Sequence, residues 1–205
     1  MGRYRVDGSE GDYQPGSDNL VLKNSLGLTF PADINDAETE LLQALYLHVF
    51  DTIYFPETVD CKVLCEWHRI WLGNLYPWAG ELRTVNMSKG EFHFAAASLL
   101  AGLMSSLEQN YLSHFEHLPS MSDQEIIHFF TESHVEFILV HPFREGNGRL
   151  SRLLLDVMAV KAGFEPLDYT LWDQHKDFYI KAIQAGVSGE YQYMARLVED
   201  VLNQQ

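Results

Sequence analysis

The chain of 205 residues has only two cysteines and no run of apolar residues long enough to span a bilayer. Two cysteines do not make a disulfide framework, and the first residues lack the apolar core of a signal peptide. Basic residues are also scarce, since 14 lysines and arginines face 29 aspartates and glutamates, a net charge of −15. This balance argues against a nucleic-acid-binding surface. We therefore expect a cytoplasmic protein that binds neither nucleic acid nor membrane directly.

Hydrophobic residues make up 46% of the chain and aromatic residues 13%, which is typical of a folded protein. The length suits one domain with a substantial core, and we expect that domain to span residues 1–205. Residues 1–30 are rich in glycine, aspartate, serine and asparagine and contain a Pro15-Gly16 turn signal. They predict an irregular arm that packs on the domain through Tyr13, Leu20, Val21 and Leu22.

Apolar residues at helical spacing dominate the remainder and predict an all-α fold, a helical bundle. The clearest stripe is Leu150, Leu153, Leu154, Val157 and Met158. The helix before it begins with a Ser122/Glu125 capping box, is apolar on nearly all sides and must stop before Pro142. We predict its apolar residues to be Ile126, Ile127, Phe129, Phe130, Phe137, Ile138 and Leu139. The other helices are predicted from a cap at Asn35 or Asp36 to about Phe50, and at about 60–75, 95–112, 172–185 and 190–202.

Residues 84–95 have the alternation of a small β-hairpin. Val85 and Met87 alternate with polar residues, a turn follows at 88–90, and Phe92 and Phe94 alternate after it. One interpretation is a connecting loop with buried aromatics. The other is a flap whose backbone edge pairs with an incoming peptide.

Cys61, Cys65 and His68 lie at i, i+4 and i+7 on the second predicted helix and could converge on zinc. A fourth ligand is not evident, and buried free cysteine is common. We therefore favour a core stripe and predict no zinc site.

Residues 141–149, His-Pro-Phe-Arg-Glu-Gly-Asn-Gly-Arg, carry the densest chemistry of the chain. Glycines where a loop becomes a helix expose backbone N–H groups at the positive end of the helix dipole, which predicts an anion site. Arg149 and Arg152 share a face and suit phosphate oxygens. Glu145 suits Mg²⁺ held jointly by a carboxylate and substrate phosphates. His141 is placed to take a proton from a hydroxyl nucleophile.

Each of these features also has an ordinary structural explanation. A His-Pro pair stops helices, Gly-Asn-Gly forms turns, and Arg149 and Arg152 could pair with Asp156 on a solvated face. Their conjunction within nine residues favours attack on a nucleotide phosphate.

The same nine residues match the signature of the Fic family: His-Pro-Phe, any residue, Asp or Glu, Gly-Asn-Gly-Arg. The chain also resembles this family at Tyr76-x-Trp78-Ala79-Gly80-x-x-Arg83, in the flap at 89–94, and in the arm at 22–27. The resemblance implies a Fic fold with a β-hairpin flap over the active site. It also implies transfer of AMP from ATP to a protein hydroxyl with release of pyrophosphate.

The resemblance further implies a role for individual residues. His141 is expected to be the general base and Glu145 the Mg²⁺ ligand, while Phe143 anchors the loop in the core. The anion hole and the phosphate-binding arginines are then Gly146, Asn147, Gly148, Arg149 and Arg152. The target-binding flap comprises Lys89, Gly90, Glu91, Phe92, His93 and Phe94. We place the adenine pocket at Tyr179, Gln184 and Tyr191.

Many Fic proteins carry a self-inhibitory helix with Ser or Thr, three residues, Glu, then Gly or Asn. Glu is followed by Gly or Asn here only at Glu10 and Glu145, and neither fits the pattern. We expect either no restraint or a small antitoxin that supplies the glutamate, as in toxin–antitoxin members of the family. Transfer of phosphoryl, UMP or phosphocholine groups and a non-catalytic nucleotide-binding adaptor are the alternatives.

Overall fold

The computed structural model describes residues 5–6 and 12–203, and α-helices account for most of this part of the chain. The helices in chain order are α1 (Pro31–Val49), α2 (Cys61–Leu72), α3 (Leu100–Asn110), α4 (Asp123–Val140), α5 (Asn147–Ala162), α6 (Thr170–Gln174), α7 (Lys176–Ala185) and α8 (Gln192–Leu202). The strands are β1 (Arg5–Val6), β2 (Met87–Lys89) and β3 (Phe92–His93), and 3₁₀ helices cover Ala97–Leu99, Leu112–Ser120 and Gly186–Ser188. The predicted helical fold with a small hairpin is confirmed.

Helices α4 and α5 pack against each other at the centre of the core, and α3, α7 and α8 surround α4. The predicted stripe of α5 is buried at all five positions. On α4, the fully buried apolar side chains predicted from the sequence are Ile126, Phe130, Phe137 and Ile138. The other three, Ile127, Phe129 and Leu139, are only partly buried, so α4 keeps an outer face. None of the helices in the described ranges is both long and apolar enough to cross a bilayer.

Helix α1 begins earlier than predicted. Its first residue is Pro31 and its N-cap is Phe30 in an extended conformation, whereas Asn35 and Asp36 lie inside the helix. Proline suits the first helical position because its φ angle is already helical and its missing N–H would have no partner there. The prediction of a cap at Asn35 or Asp36 was therefore wrong.

Two other predicted helices are interrupted. The helix predicted for 95–112 starts with a 3₁₀ turn and ends at Asn110, and a 3₁₀ helix then carries the chain through Pro119. Leu112, Phe115 and Leu118 are buried at intervals of three residues, which is the period of a 3₁₀ helix. The helix predicted for 172–185 is two helices that meet at His175, whose φ and ψ of −108° and 39° are not helical.

The hairpin has a third strand that the sequence did not predict. β2 pairs with β3 through Ser88↔His93 and Lys89↔Phe92, and with β1 through Arg5↔Ser88 and Val6↔Met87, both antiparallel. The arm is therefore not irregular throughout. Because β2 is paired on both sides, β3 provides the hairpin edge that has no neighbouring strand within the described residues.

The remainder of the arm packs as predicted at three of four positions. Tyr13 forms a β-bridge with Leu22, Val21 and Leu22 are buried, and Tyr13 is partly buried. Leu20 is 53% exposed, so the predicted packing of this residue on the domain was wrong. Predicted positions in 1–4 and 7–11 lie outside the described residues.

The capping box of α4 is present, with Ser122 Oγ accepting from Glu125 N and the Glu125 carboxylate accepting from Ser122 N. We expect Ser122→Ala to lower the free energy of unfolding by about 1 kcal/mol, because the N–H of Glu125 in the first turn loses its acceptor. Urea unfolding measures this. Ser105→Ala, at an exposed position inside α3, is the matched control and should be nearly neutral. Equal losses for the two variants would contradict the role of the cap.

Candidate active site

The loop between α4 and α5 is held by two residues with positive φ. His141 caps α4 with φ 50° and ψ 59°, and its N–H still donates to Phe137 O at 3.0 Å. Gly146 caps α5 with φ 81° and ψ −1°. A Cβ at Gly146 would lie 2.6 Å from Cζ3 of Trp71, so both the backbone angle and the close ring require glycine.

Buried Arg83 binds the first carbonyls of this loop. Its Nε donates to His141 O at 2.7 Å and its Nη2 to Val140 O at 3.3 Å, while its backbone N–H donates to Pro142 O at 2.9 Å. The family resemblance pointed to Arg83 without giving it a role. Its guanidinium satisfies carbonyls that cannot reach water.

The side chain of Asn147 makes two hydrogen bonds to the backbone of the same loop. Its Oδ1 accepts from Phe143 N at 2.8 Å, and its Nδ2 donates to Phe143 O at 2.7 Å. Phe143 is fully buried and stacks on His68 with ring centroids 4.1 Å apart. The side chain of Asn147 therefore points into the loop, and Asn147 is not among the residues that line the cavity described below.

His141 is only 2% exposed, and its ring stacks on Phe94 of the flap at 3.7 Å. Its Nδ1 lies 3.1 Å from Ile138 O. A carbonyl oxygen only accepts, so Nδ1 carries the proton and Nε2 is the basic nitrogen. Burial lowers the pKa of His141 to about 3, against the near-neutral value assumed from the sequence. The imidazole is therefore neutral, as a general base must be.

Arg149 lies between two carboxylates and an indole ring. Its Nη2 is 2.7 Å from Glu38 Oε2 and 3.6 Å from Glu145 Oε1, and its guanidinium carbon lies 4.6 Å from the centre of the Trp71 ring. Glu38 also accepts from the Tyr76 hydroxyl at 2.6 Å. Glu38 was missed as a site residue, because a contact across 111 positions leaves no local pattern.

Arg152 makes two hydrogen bonds to the carboxylate of Asp173, at 2.7 and 3.2 Å, and lies over the Tyr169 ring. Asp156 instead accepts from the hydroxyls of Tyr46 and Tyr169 and is buried. The alternative in which both arginines pair with Asp156 was therefore wrong.

A cavity of about 670 Å³ brings these groups together. From the α4–α5 loop and the start of α5 it is lined by His141, Glu145, Gly146, Gly148, Arg149 and Arg152, and from the flap by Lys89, Gly90, Phe92 and Phe94. The flap residues Glu91 and His93 are not among its lining residues. Tyr179 and Gln184 line the cavity, whereas Tyr191 donates to Glu136 Oε1 at 2.7 Å and is not part of the lining.

Five lining residues on α6 and α7 were missed, namely Trp172, Asp173, Lys176, Ile180 and Ile183. Their spacing in sequence indicates a buried helix face equally well, so only the position of the helix identifies them. Burial lowers the pKa of Lys89, and the nearby charge of Lys176 lowers it further. Four cationic side chains therefore line one cavity of this acidic chain, namely Lys89, Arg149, Arg152 and Lys176.

Cys61 and His68 of α2 contact different parts of the structure and do not converge on one point. Cys61 Sγ donates to Met104 O at 3.2 Å, whereas His68 Nε2 lies 3.1 Å from Glu145 O. Within residues 5–6 and 12–203, no group of three or more His, Cys, Asp or Glu side chains could hold a metal ion. His68 contacts the active-site loop and was missed as a site residue.

The profile of the Fic/DOC family matches residues 58–159. The protein adenylyltransferase Fic of Nematostella vectensis is 32% identical over 127 residues, which cover 60% of this chain and 28% of that protein. The probable protein adenylyltransferase Fic of Salmonella typhimurium is 23% identical over 190 residues, 90% of this chain and 88% of that protein. The chain spans little more than a quarter of the length of the animal relatives it matches.

Solved structures share the fold. The N-terminal FIC domain of Bep8 from Bartonella sp. 1-1C superposes with a TM-score of 0.77 at 18% identity, covering 89% of this chain and 90% of that one. BepC from Bartonella tribocorum, solved with bound AMPPNP, superposes with a TM-score of 0.74 at 22% identity, covering 92% and 94%. By the profile match over residues 58–159, the chain belongs to the Fic/DOC family.

The glycine that begins α5 gives a direct test of the loop. We expect Gly146→Ala to lower the free energy of unfolding by about 2 kcal/mol or more, because the methyl group collides with Trp71 at a left-handed backbone angle. Urea unfolding measures the loss. Gly148→Ala is the matched control, since a Cβ there meets nothing within 4 Å. Similar stability of the two variants would show that the loop does not need the left-handed residue.

Three buried histidines predict how stability depends on pH. Burial lowers the pKa of His68 to about 4 and those of His134 and His141 to about 3. In the unfolded chain each titrates near 6.5, so the unfolded state binds more protons below that pH. The free energy of unfolding should therefore fall as pH drops from 6.5 toward 4. The pKa of Asp156, raised by burial to about 6, opposes this with one group.

Urea unfolding at pH 7 and pH 5 measures the effect. His134→Gln should have a shallower pH dependence than the unmodified chain, because one neutral buried histidine is gone. His128→Gln, which changes an exposed histidine on the same helix, should keep the original slope. Identical slopes for all three proteins would contradict a neutral, buried His134.

Proposed function

We propose that this chain transfers AMP from ATP to a hydroxyl group of a target protein. In this reaction the hydroxyl proton passes to Nε2 of His141 while the oxygen attacks the α-phosphorus. The bond from the α-phosphorus to the bridging oxygen breaks, and pyrophosphate leaves. Attack at the α-phosphate is supported by the relatives, whose names describe them as protein adenylyltransferases.

The observation that carries the proposal is the content of one cavity. A neutral imidazole, a glycine loop at a helix N-terminus and the guanidinium of Arg149 all line it. A base removes a proton from the attacking group, and backbone N–H groups with an arginine stabilise charge on phosphate oxygens. A non-catalytic adaptor would not need the buried base.

Mg²⁺ fits the donor set at this loop. Glu145 contributes a carboxylate to the cavity, whereas the other carboxylate that lines it, Asp173, is bonded to Arg152. A hard ion held by one carboxylate, phosphate oxygens and water needs no further protein ligand. When bound, the ion would neutralise charge on the phosphates of the nucleotide. Glu145 would hold it.

ATP would lie along the cavity with its phosphates at the α5 end. Arg149 is oriented by Glu38 through Nη2 and lines the cavity, where its guanidinium can donate to phosphate oxygens. The adenine would pack on α7, where Tyr179, Ile183 and Gln184 provide an aromatic ring, an aliphatic surface and an amide. BepC, which has the same fold, was solved with bound AMPPNP.

The target would dock at the flap. Since β1 already pairs with β2, an incoming strand would pair with the outer edge of β3 or displace β1. Phe94 covers the ring of His141, so the flap must shift when a target hydroxyl approaches Nε2. The class of hydroxyl, Tyr, Thr or Ser, is left to experiment.

Restraint by a separate antitoxin, and a role as the toxin of such a pair, stay predictions. Glu38 already supplies a carboxylate to Arg149 from within the chain, while Arg152 is paired with the exposed Asp173 at the rim. A glutamate from another chain would therefore replace Asp173 on Arg152.

The test uses ATP labelled at either the α- or the γ-phosphate, added to the purified protein in bacterial lysate. We expect label on a protein band from the α-position and none from the γ-position. His141→Ala should reduce the transfer at least about 100-fold, because the hydroxyl loses its base. Its affinity for ATP, measured by calorimetry, should change little.

His128→Ala is the matched control, since it removes an exposed histidine from α4 and should leave the transfer unchanged. Label only from the γ-position would identify a phosphotransferase instead. Full transfer by His141→Ala would contradict the assignment of the base, and absence of any label would contradict the proposed function.

A further inference from the structure

His68 of α2 makes two polar contacts, with the backbone at Gly80 and at Glu145, and its ring lies near those of Trp71, Trp78 and Phe143. Its Nδ1 accepts from the backbone N–H of Gly80 at 2.7 Å, and its Nε2 lies 3.1 Å from the carbonyl oxygen of Glu145. Its ring lies parallel to that of Phe143, with 9° between the planes. The side chain is completely buried.

These partners determine the state of the imidazole. A backbone N–H only donates and a carbonyl oxygen only accepts. Nδ1 must therefore be unprotonated and Nε2 must carry the proton. Only the neutral Nε2–H tautomer satisfies both contacts. Any side chain that only filled the space would leave a buried N–H at Gly80 and a buried carbonyl at Glu145 without this partner.

The carbonyl of Glu145 belongs to the same peptide unit as the N–H of Gly146. That unit is planar and trans, because the described chain contains no cis peptide bond, so its C=O and N–H point in opposite directions. A carbonyl directed at α2 therefore directs the Gly146 N–H toward the opposite side. There it donates to the Glu145 carboxylate at 3.0 Å, and Gly146 lines the cavity.

We propose that His68 is a positioning residue that orients the Gly146 N–H toward the phosphates of the nucleotide by holding the Glu145 carbonyl. This inference rests on the proposed function only in taking a phosphate to be the anion bound at Gly146. The carboxylate of Glu145 occupies that donor in the ligand-free chain and gives it up to the phosphate. His68 acts through the backbone and never touches the substrate.

Three substitutions separate the contacts of His68. In His68→Gln the amide nitrogen reaches the region of Nε2 and can donate to Glu145 O. In His68→Asn the amide oxygen lies near Nδ1 and can accept from Gly80, but nothing reaches Glu145. His68→Phe keeps the stacking on Phe143 and loses both hydrogen bonds. The Gln and Asn variants are a matched pair, each with one polar contact restored.

The measurement is the affinity of each full-length variant for ADP and for adenosine, determined by calorimetry without divalent metal. We expect His68→Asn and His68→Phe to bind ADP about tenfold more weakly, the loss of roughly one hydrogen bond to a charged group. Adenosine has no phosphate and should bind as it does to the unmodified chain. His68→Gln should keep most of the ADP affinity.

Two results would overturn the inference. If ADP and adenosine lost affinity equally, His68 would be a packing residue of the core. If His68→Asn bound ADP as tightly as the unmodified chain, the Glu145 contact would not orient the donor. An unmodified chain that bound ADP no better than adenosine would contradict the anion site itself. ADP binding with no transfer of labelled AMP would instead contradict only the proposed function.

Discussion

The loop between α4 and α5 turns the chain inside the core, where buried carbonyl groups need donors from the protein. Three residues donate hydrogen bonds to these carbonyls. Arg83 donates to the carbonyls of residues 140–142, Asn147 to that of residue 143, and His68 to that of residue 145. Because each peptide unit directs its N–H away from its C=O, the Glu145 carbonyl held by His68 directs the N–H of Gly146 toward the cavity. The contact that satisfies this carbonyl therefore also sets the direction of one backbone donor at the cavity.

The arginines at the cavity are likewise held by partners from other parts of the chain. In a chain with a net charge of −15, Arg149 and Arg152 stay at the cavity because each has a carboxylate and an aromatic ring to hold it, Glu38 with Trp71 and Asp173 with Tyr169. Trp71 acts twice, since it also lies against Gly146 and excludes any side chain there. One ring of α2 therefore sets both the start of α5 and the position of the arginine one turn later.

Features that depend on neighbours in sequence were predictable. The apolar stripe of α5, the capping box at Ser122 and the end of α4 before Pro142 all arise within a few residues of chain. The loop could be recognised because its histidine, carboxylate, glycines and arginine all lie within residues 141–149. The predicted start of α1 was wrong because the helix begins with a proline at its first position and not after a polar cap residue. The break at His175 had no local signal.

What the sequence by itself determined is the chemistry available at the α4–α5 junction, since a histidine, a carboxylate, two glycines and an arginine within nine residues cannot lie far apart. Only the tertiary structure decided how those groups are used. It brought Glu38 and Arg83 to the loop, turned His68 from a core stripe toward the carbonyl of Glu145, and paired β1 with the flap. These contacts join segments separated by tens of residues, and packing of the helices, which no local pattern encodes, selects their partners.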